Sequence, residues 1–174
     1  MLEPEFRPER MLQILQEHGV RSILIGGFAA VIYGSPYVTT DIDVVPEGSP
    51  ENLVRLSAAL RAMSARVWTA TEPEGIPFDH DATSIAGVRV WNLVTDLGRL
   101  DLTFEPSGTA GYEDLAREAV RLEIMGTQVD VAALADIVRS KEAAGREKDR
   151  LVLPVLRRLL GALEDRGSEE PPEL

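Results

Sequence analysis

The sequence contains no cysteine, and histidine is almost as scarce, with only His18 and His80. Without cysteine the chain can form no disulfide, no thiol nucleophile and no cysteine-ligated zinc site. Two histidines are also too few for a histidine-rich metal site. Serine-triad chemistry, which relies on a histidine base, therefore has little support.

The sequence also lacks any apolar run long enough to span a bilayer, and Met1–Glu5 is acidic where a signal peptide would be basic. We therefore expect a cytoplasmic protein with no membrane partner. Its 174 residues, 44% of them hydrophobic, are enough for a real core. We predict one domain over 1–166, with a core at about 20–130, a C-terminal helical segment at about 131–163 and a disordered tail over 167–174.

Positive charge is in the minority, since the net charge is −11. This balance argues against nonspecific nucleic-acid binding over the whole surface, because phosphate affinity depends on lysine and arginine. One stretch differs, and we call residues 139–158 the basic segment: it holds seven basic and three acidic side chains. The basicity is therefore local.

Lysine is the rarer of the two basic residue types. The chain has sixteen arginines but only Lys141 and Lys148, both in the basic segment. Lysine offers a phosphate a compact point charge, whereas arginine offers a planar fork, so both lysines are candidate phosphate ligands. The alternatives are chance and an exposed helix face on which Lys141 and Glu142 are only surface charges.

The hydrophobic pattern predicts alternating helices and strands without internal repeats, which is the α/β (α+β) class. Helices are predicted at 8–17, 28–33, 50–63, 115–119, 132–144 and 151–163. Strands are predicted at 22–25, 40–45, 66–69, 88–94 and 99–104, with a hairpin at 122–129 about Gly126.

Gly26 and Gly27 follow the apolar strand that ends at Ile25 and precede a predicted helix. Such a turn leaves backbone N–H groups directed at whatever docks there, and the helix dipole favours an anion such as a triphosphate. The same arrangement occurs in many α/β folds that bind no nucleotide. The glycine pair therefore indicates a phosphate site only in combination with other residues.

Asp41 and Asp43 stand two positions apart on the predicted strand 40–45. On an extended backbone both side chains project from one face, while Ile42 points into the core. Two adjacent carboxylates suit Mg²⁺. Such pairs also close turns or cap helices, but a carboxylate inside an apolar run is costly unless it meets a cation, so we favour the metal interpretation.

Asp101 is a candidate third carboxylate, because it shares a face of the predicted strand 99–104 with Thr103. A hairpin at 96–98 would pair this strand with the strand at 88–94. The alternative is an ordinary strand residue that pairs with Arg99 or faces water.

These motifs together resemble the DNA polymerase beta-like nucleotidyltransferases and, within them, the AbiEii-like toxins of type IV toxin–antitoxin systems. The resemblance runs from about Ile23 to Leu156. Members carry a Gly-Gly or Gly-Ser turn, an Asp-x-Asp pair and a third acid on a later strand. They also carry a segment of the form Asp-x-x-x-x-Lys-x-x-Ala-x-x-x-Arg-x-Lys-Asp, which is the most discriminating part and here runs from Asp136 to Asp149.

The resemblance implies a nucleotidyltransferase fold, with a mixed β-sheet flanked by helices and further helices at the C-terminus. It implies two Mg²⁺ ions, or Mn²⁺ in their place, held by Asp41, Asp43 and Asp101. Lys141 would act in catalysis beside them by contacting the triphosphate of an NTP. The remaining nucleotide-binding residues would be Gly26, Gly27, Thr39, Arg146, Lys148 and Asp149.

Two positions depart from the family pattern. Many relatives carry serine where Gly27 stands, so a hydroxyl contact to the triphosphate is missing here. Many also carry Arg-x-Thr-x-Asp-x-Asp, whereas this chain keeps Thr39 but has Tyr37 in place of the arginine.

The implied reaction is two-metal transfer of NMP from an NTP to an acceptor hydroxyl. Three kinds of function remain open. The first is a toxin that adds nucleotides to RNA, above all to a tRNA 3′ end, and is neutralised by a partner antitoxin; the basic segment favours it. The second is a transferase that modifies a small molecule or a protein side chain, as antibiotic-modifying enzymes and antitoxin-type nucleotidyltransferases do; the overall acidity favours it. The third is a catalytically inactive binding domain.

Overall fold

The computed structural model describes residues 4–167, and within them seven strands form one sheet. In chain order, strands β1 to β7 are Ser22–Ile25, Asp41–Pro46, Arg66–Val67, Val90–Thr95, Gly98–Thr103, Val120–Ile124 and Thr127–Val131. Across the sheet their order is β3-β4-β5-β2-β1-β7-β6. The pairs β2–β5 and β1–β7 are parallel and the other neighbours are antiparallel, so the sheet is mixed, as predicted.

Seven helices flank this sheet in the same described range. In chain order, helices α1 to α7 are Pro8–Glu17, Gly26–Ile32, Pro50–Ala62, Ala82–Ala86, Tyr112–Ala116, Leu134–Ala144 and Glu147–Gly167. None of the helices within residues 4–167 combines the length and apolar character needed to cross a membrane.

Local sequence signals explain how α3 begins. Pro50 occupies its first turn, where a missing N–H is harmless, and Ser49 caps it by accepting a hydrogen bond from the backbone of Asn52 at 3.3 Å. The short helix α4 was not predicted. It follows a capping box in which Asp81 and Ser84 exchange hydrogen bonds with each other's backbone.

The centre of the sheet separates the core from the candidate site. Ile42 and Val44 of β2 and Leu100 and Leu102 of β5 are essentially fully buried. Because side chains alternate along a strand, the intervening acidic residues point away from this apolar layer. The strand pattern of the sequence therefore sets which face of β2 and β5 carries polar chemistry.

Several predicted boundaries were wrong. Helix α2 begins at Gly26 rather than at 28, α5 lies at Tyr112–Ala116 rather than 115–119, and β3 ends at Val67. Helix α7 begins at Glu147 rather than 151, because side-chain contacts described below stabilise an earlier first turn. The predicted tail 167–174 lies outside the described residues except for Gly167, which is the last residue of α7.

Candidate active site

Three carboxylates meet where β2 and β5 lie side by side. The parallel register of these strands places Asp43 opposite Asp101, and Asp41 lies two residues before Asp43 on the same strand. One carboxylate oxygen from each of the three lies within 4.8 Å of the other two. We call Asp41, Asp43 and Asp101 the carboxylate triad.

Burial and mutual repulsion act on two members of the triad. The pKa of Asp43 is raised to about 7, chiefly by burial and also by the negative charges of Asp41 and Asp101, while Lys148 and Lys141 oppose the rise. Burial likewise raises the pKa of Asp101 to about 6, although the nearby guanidinium of Arg99 opposes this. Three partly buried carboxylates that repel one another are stabilised in their ionised form when a cation binds between them.

The triad fits a hard divalent cation. Asp101 Oδ1 is buried and accepts no hydrogen bond from any residue between 4 and 167. The nearest positive group, Arg99 Nη2, is 3.7 Å away, and this guanidinium stacks over the Trp68 ring at 3.8 Å. An ion pair with Arg99 therefore exists, as one of the two sequence interpretations expected, but it leaves the oxygen without a hydrogen bond. Three carboxylates with a free buried oxygen form a donor set that suits Mg²⁺ or Mn²⁺.

Gly26 makes room for the triad. Its φ is +74°, and a Cβ on this residue would lie 2.1 Å from Asp43 Oδ2, so no side chain fits. The carboxylate of Asp43 therefore packs directly against the turn between β1 and α2. Helix α2 is short, as predicted, and its seven residues give only a small dipole beside the triad.

Thr39 lies close to Gly27. A Cβ on Gly27 would lie 3.1 Å from Thr39 Oγ1, so a serine there would crowd the threonine. The Thr39 hydroxyl donates a hydrogen bond to Asp41 Oδ1 at 2.7 Å. In this structure Thr39 therefore orients a triad carboxylate, and the nucleotide contact that the resemblance implied for it stays a prediction.

A buried ion network lies between α6 and α7. Asp149, which is fully buried, lies 3.4 Å from Lys141 Nζ and accepts hydrogen bonds from Arg146 Nε at 2.7 Å and from the Arg146 backbone N–H at 3.3 Å. Burial raises the pKa of Asp149, but the hydrogen bonds and positive charges of Arg146 and Lys141 outweigh this effect and hold it below its usual value. The bond to the Arg146 backbone also satisfies the start of α7.

Lys148 is the cation that this network leaves free. It is exposed and lines the same cavity as the triad, and it has no ion pair or hydrogen bond with another residue of the described chain. Its charge nevertheless lowers the pKa of both Asp43 and Asp101, so it lies near the triad. An unpaired lysine in this position is available to a phosphate group.

A single cavity of about 710 Å³ joins these groups. Of the ten predicted site residues, Asp149 alone does not line it, because it is buried behind the cations that it binds. The predicted residues that line the cavity are Gly26, Gly27, Thr39, Asp41, Asp43, Asp101, Lys141, Arg146 and Lys148.

Sequence reasoning missed the polar residues on another side of the cavity. Asn92 on β4, Thr103 on β5, and Ser107 and Thr109 after β5 also line it. Thr103 shares a strand face with Asp101, which the alternation of β5 had indicated. Asn92 could be found only from the β4–β5 register, in which it pairs with Asp101.

More than half of the cations in the basic segment form ion pairs in the folded protein. Four of its seven cations bind acids: Arg139 binds Asp114 and Asp136, Lys141 and Arg146 bind Asp149, and Arg157 binds Glu142. Much of the local positive charge that favoured RNA is therefore neutralised within the protein.

Three solved structures with similar folds are named for nucleotidyl or adenylyl transfer or for an adenylylated antibiotic. A candidate nucleotidyltransferase from Thermotoga maritima matches at 16% identity with a TM-score of 0.54, over 91% of this chain and 97% of that one. The lincosamide antibiotic adenylyltransferase LnuA, bound to lincomycin, matches at 11% identity and a TM-score of 0.59, over 87% and 95%. The protein ANT(2″)-Ia, in complex with adenylyl-2″-tobramycin, matches at 16% identity with a TM-score of 0.58, over 90% of this chain and 89% of that one.

These matches identify the nucleotidyltransferase fold, as the motifs predicted. At such low identity they establish the fold alone. The sequence matches no protein-family model and no curated protein.

Proposed function

We propose that the protein transfers an NMP group from an NTP to an acceptor hydroxyl. The observation that carries this proposal is the meeting of the carboxylate triad with Lys141 and Lys148 at one cavity. Anionic ligands for a divalent cation and cationic ligands for phosphates are the two parts that nucleotidyl transfer needs.

The triad would hold Mg²⁺ through the carboxylates of Asp41, Asp43 and Asp101. Bound Mg²⁺ supplies Lewis-acid chemistry, because it lowers the pKa of a hydroxyl and stabilises negative charge on phosphate oxygens. In the reaction a bond forms between the acceptor oxygen and the α-phosphorus, the bond from that phosphorus to the bridging oxygen breaks, and pyrophosphate leaves. The hydroxyl proton passes to solvent or to a triad carboxylate.

The cations of the basic segment have separate tasks in this proposal. Lys148, which is unpaired, contacts the triphosphate, and Lys141 offsets charge on the leaving pyrophosphate. Asp149 acts through Lys141 and Arg146 and is a positioning residue. Gly26 and Gly27 offer backbone donors beside the triad.

We favour a small-molecule acceptor over RNA. The neutralisation of four cations in the basic segment removes much of the charge that an RNA backbone would require. Two of the fold neighbours are named for adenylyl transfer or for an adenylylated antibiotic, which agrees with this class of acceptor.

The second candidate is an AbiEii-like toxin that acts on a tRNA 3′ end and is restrained by an antitoxin protein. Three exposed cations of the basic segment favour it, since Lys148, Arg150 and Arg158 have no acidic partner within residues 4–167. These three charges lie on one helix, α7.

The test is to incubate the protein with each α-labelled NTP, Mg²⁺, and either total RNA or a small-molecule extract. We expect covalent label in an acceptor and release of one pyrophosphate per label. The matched control is the double variant Asp41→Asn and Asp43→Asn, which keeps side-chain volume but removes ligand charge. NTP binding without transfer to any acceptor would identify a catalytically inactive binding domain.

A further inference from the structure

The cavity differs in charge from one side to the other. On the α6–α7 side, Lys141 and Lys148 act electrostatically on Asp43. On the β4–β5 side, four uncharged polar side chains line it, and we call these the neutral side: Asn92, Thr103, Ser107 and Thr109. Val90, Pro106 and Glu105 line the cavity beside them, and Glu105 is paired with Arg89. A transfer reaction needs one place for the triphosphate and another for the acceptor, and the cations identify the first.

The neutral side begins at the third carboxylate. In the β4–β5 register Asn92 pairs with Asp101, and Thr103 lies two residues beyond Asp101 on the same strand face. A ligand that contacts Asn92 and Thr103 therefore lies next to the triad. This is where an acceptor hydroxyl must be to reach an α-phosphate.

The polar groups of the neutral side are available to a ligand. The side chains of Asn92, Thr103 and Ser107 form no hydrogen bond with any other described residue of the chain. Thr109 differs, because its hydroxyl donates to the carbonyl of Pro106 at 2.9 Å. Three side chains thus offer both donors and acceptors, which is the pattern that complements hydroxyl groups.

The acidic residues outside the triad that line the cavity are paired with arginines. Glu105 binds Arg89 at 2.6 Å, and Asp136, which lines the cavity from α6, binds Arg139 at 2.9 Å. A polyanion would therefore meet no free cation on the neutral side, and a polycation would meet no free acid other than the triad. The charge pattern therefore favours a ligand that carries neither several negative charges nor several positive ones.

We propose that the neutral side is the acceptor site and that the acceptor is an uncharged, polyhydroxylated small molecule. This inference rests on the proposed function and adds the substrate class. The cavity volume of about 710 Å³ is in the range of small-ligand sites. An RNA acceptor would instead need cations along its backbone on this side.

The experiment offers four acceptor pools to the full chain with α-labelled NTP and Mg²⁺. Three are the neutral, cationic and anionic fractions of a small-molecule cell extract separated by ion exchange, and the fourth is total RNA. We expect label in the neutral fraction at least about 10-fold above each other pool. Preferential label in a charged fraction or in RNA overturns the inference, and so does an unlabelled neutral fraction.

NTP binding is measured separately by calorimetry with a non-hydrolysable NTP and Mg²⁺. This measurement distinguishes failure of the acceptor inference from failure of the proposed function. If the NTP binds but the neutral fraction takes no label, the acceptor inference fails while the NTP site remains. If the NTP does not bind, the proposed function itself fails.

Thr103→Val tests the site directly, because valine has nearly the same shape and lacks the hydroxyl. We expect the amount of neutral fraction that gives half-maximal rate to rise about 3- to 10-fold, with KM for NTP unchanged. Thr71→Val is the matched control, since Thr71 is exposed and lies outside the cavity. Equal behaviour of the two variants would show that Thr103 does not contact the acceptor.

Discussion

The carboxylate of Asp149 lies 3.4 Å from Lys141 Nζ, and this contact joins two helices through a fully buried acid. The same carboxylate binds Arg146, so one acid holds two cations at the edge of the cavity. A side chain without exposed surface cannot contact a nucleotide. We therefore expect Asp149 to act by fixing where Lys141 and Arg146 lie.

Asp149→Asn should weaken nucleotide use without weakening metal binding. Loss of the acid frees Lys141 and Arg146, so we expect KM for NTP to rise about 10-fold and stability to fall by about 1 to 3 kcal/mol from the unsatisfied donors. Steady-state kinetics and urea unfolding measure the two effects, and calorimetry with Mn²⁺ should show an unchanged Kd. Glu142→Gln is the control, because it removes an exposed acid bound to Arg157 from the same region. An unchanged KM in Asp149→Asn would refute the positioning role.

Asp41→Asn and Asp43→Asn should each lower transfer by at least about 1,000-fold while the fold stays intact. Asparagine keeps the volume of aspartate but lacks the charge on which metal binding depends. Transfer rates at fixed Mg²⁺ and circular dichroism provide the measurements. Activity close to that of the wild type in the double variant would show that the triad is not the metal site.

The companion variant Asp101→Asn separates the third ligand from an ordinary strand residue. Because Asp101 Oδ1 is buried without a hydrogen bond, we expect this variant to lose Mn²⁺ affinity as well as activity. If Mn²⁺ affinity and activity both persist, the third ligand is another residue. Asp101 is then an ordinary strand residue that pairs with Arg99.

Much of the triad could be predicted from the sequence, because period-two alternation places Asp41 and Asp43 on one face. The strand pattern also indicated Asp101, although only the β2–β5 register shows that it stands opposite Asp43. The burial of Asp149 could not be predicted from local alternation. Its partner Lys141 lies on another helix, so its burial is a tertiary effect that local propensity does not contain. The early start of α7 was missed for the same reason.

Metal-free stability should depend on pH through Asp43, whose pKa of about 7 exceeds its ordinary value of 3.8. Between these values the folded chain binds more protons than the unfolded chain, so the contribution of Asp43 to stability falls as pH rises. Asp43→Asn removes this dependence. We therefore expect the free energy of unfolding of the variant, relative to that of the wild type, to increase by on the order of 2 kcal/mol between pH 5 and pH 8 in EDTA.

Urea unfolding of both proteins at the two pH values measures this difference. The comparison cancels groups that titrate independently of Asp43, such as His80, whose pKa is lowered chiefly by burial. Mg²⁺ should reverse the trend in the wild type, since the metal binds the deprotonated carboxylates and its affinity rises with pH. A stability difference that does not change with pH would mean that Asp43 is not protonated near neutral pH.

Gly26→Ala should disrupt the triad more than a glycine replacement elsewhere. Both Gly26 and Gly126 have a positive φ, but a Cβ at Gly26 would lie 2.1 Å from Asp43 Oδ2, whereas nothing lies within 4 Å at Gly126. Both variants pay the backbone strain, and only Gly26→Ala displaces a triad carboxylate. We expect Gly126→Ala to keep Mn²⁺ affinity and Gly26→Ala to lose at least about 10-fold. Equal metal affinity in the two variants would contradict the packing of Asp43 against the turn.

Two cations of α7, Lys148 and Arg158, allow a triphosphate contact to be separated from a general basic surface. Lys148 lines the cavity near the triad, whereas Arg158 lies ten residues further along α7 and outside it. Both are exposed and unpaired among the described residues, so Lys148→Ala and Arg158→Ala remove the same charge. We expect Lys148→Ala to raise KM for NTP and lower kcat, about 10-fold each, and Arg158→Ala to change neither.

Lys141→Ala should resemble Lys148→Ala, because its charge acts on the same leaving group, and it should leave Mg²⁺-independent RNA binding unchanged. The decisive measurements are transfer rate against NTP concentration and RNA affinity against salt for all three variants. A contact to the leaving group mainly stabilises the transition state, whereas a surface charge mainly changes salt-dependent RNA affinity. If all three variants leave the rate curve unchanged while RNA affinity falls and its salt slope flattens, the basic segment is an RNA-binding surface. The tRNA-directed toxin would then be the better assignment.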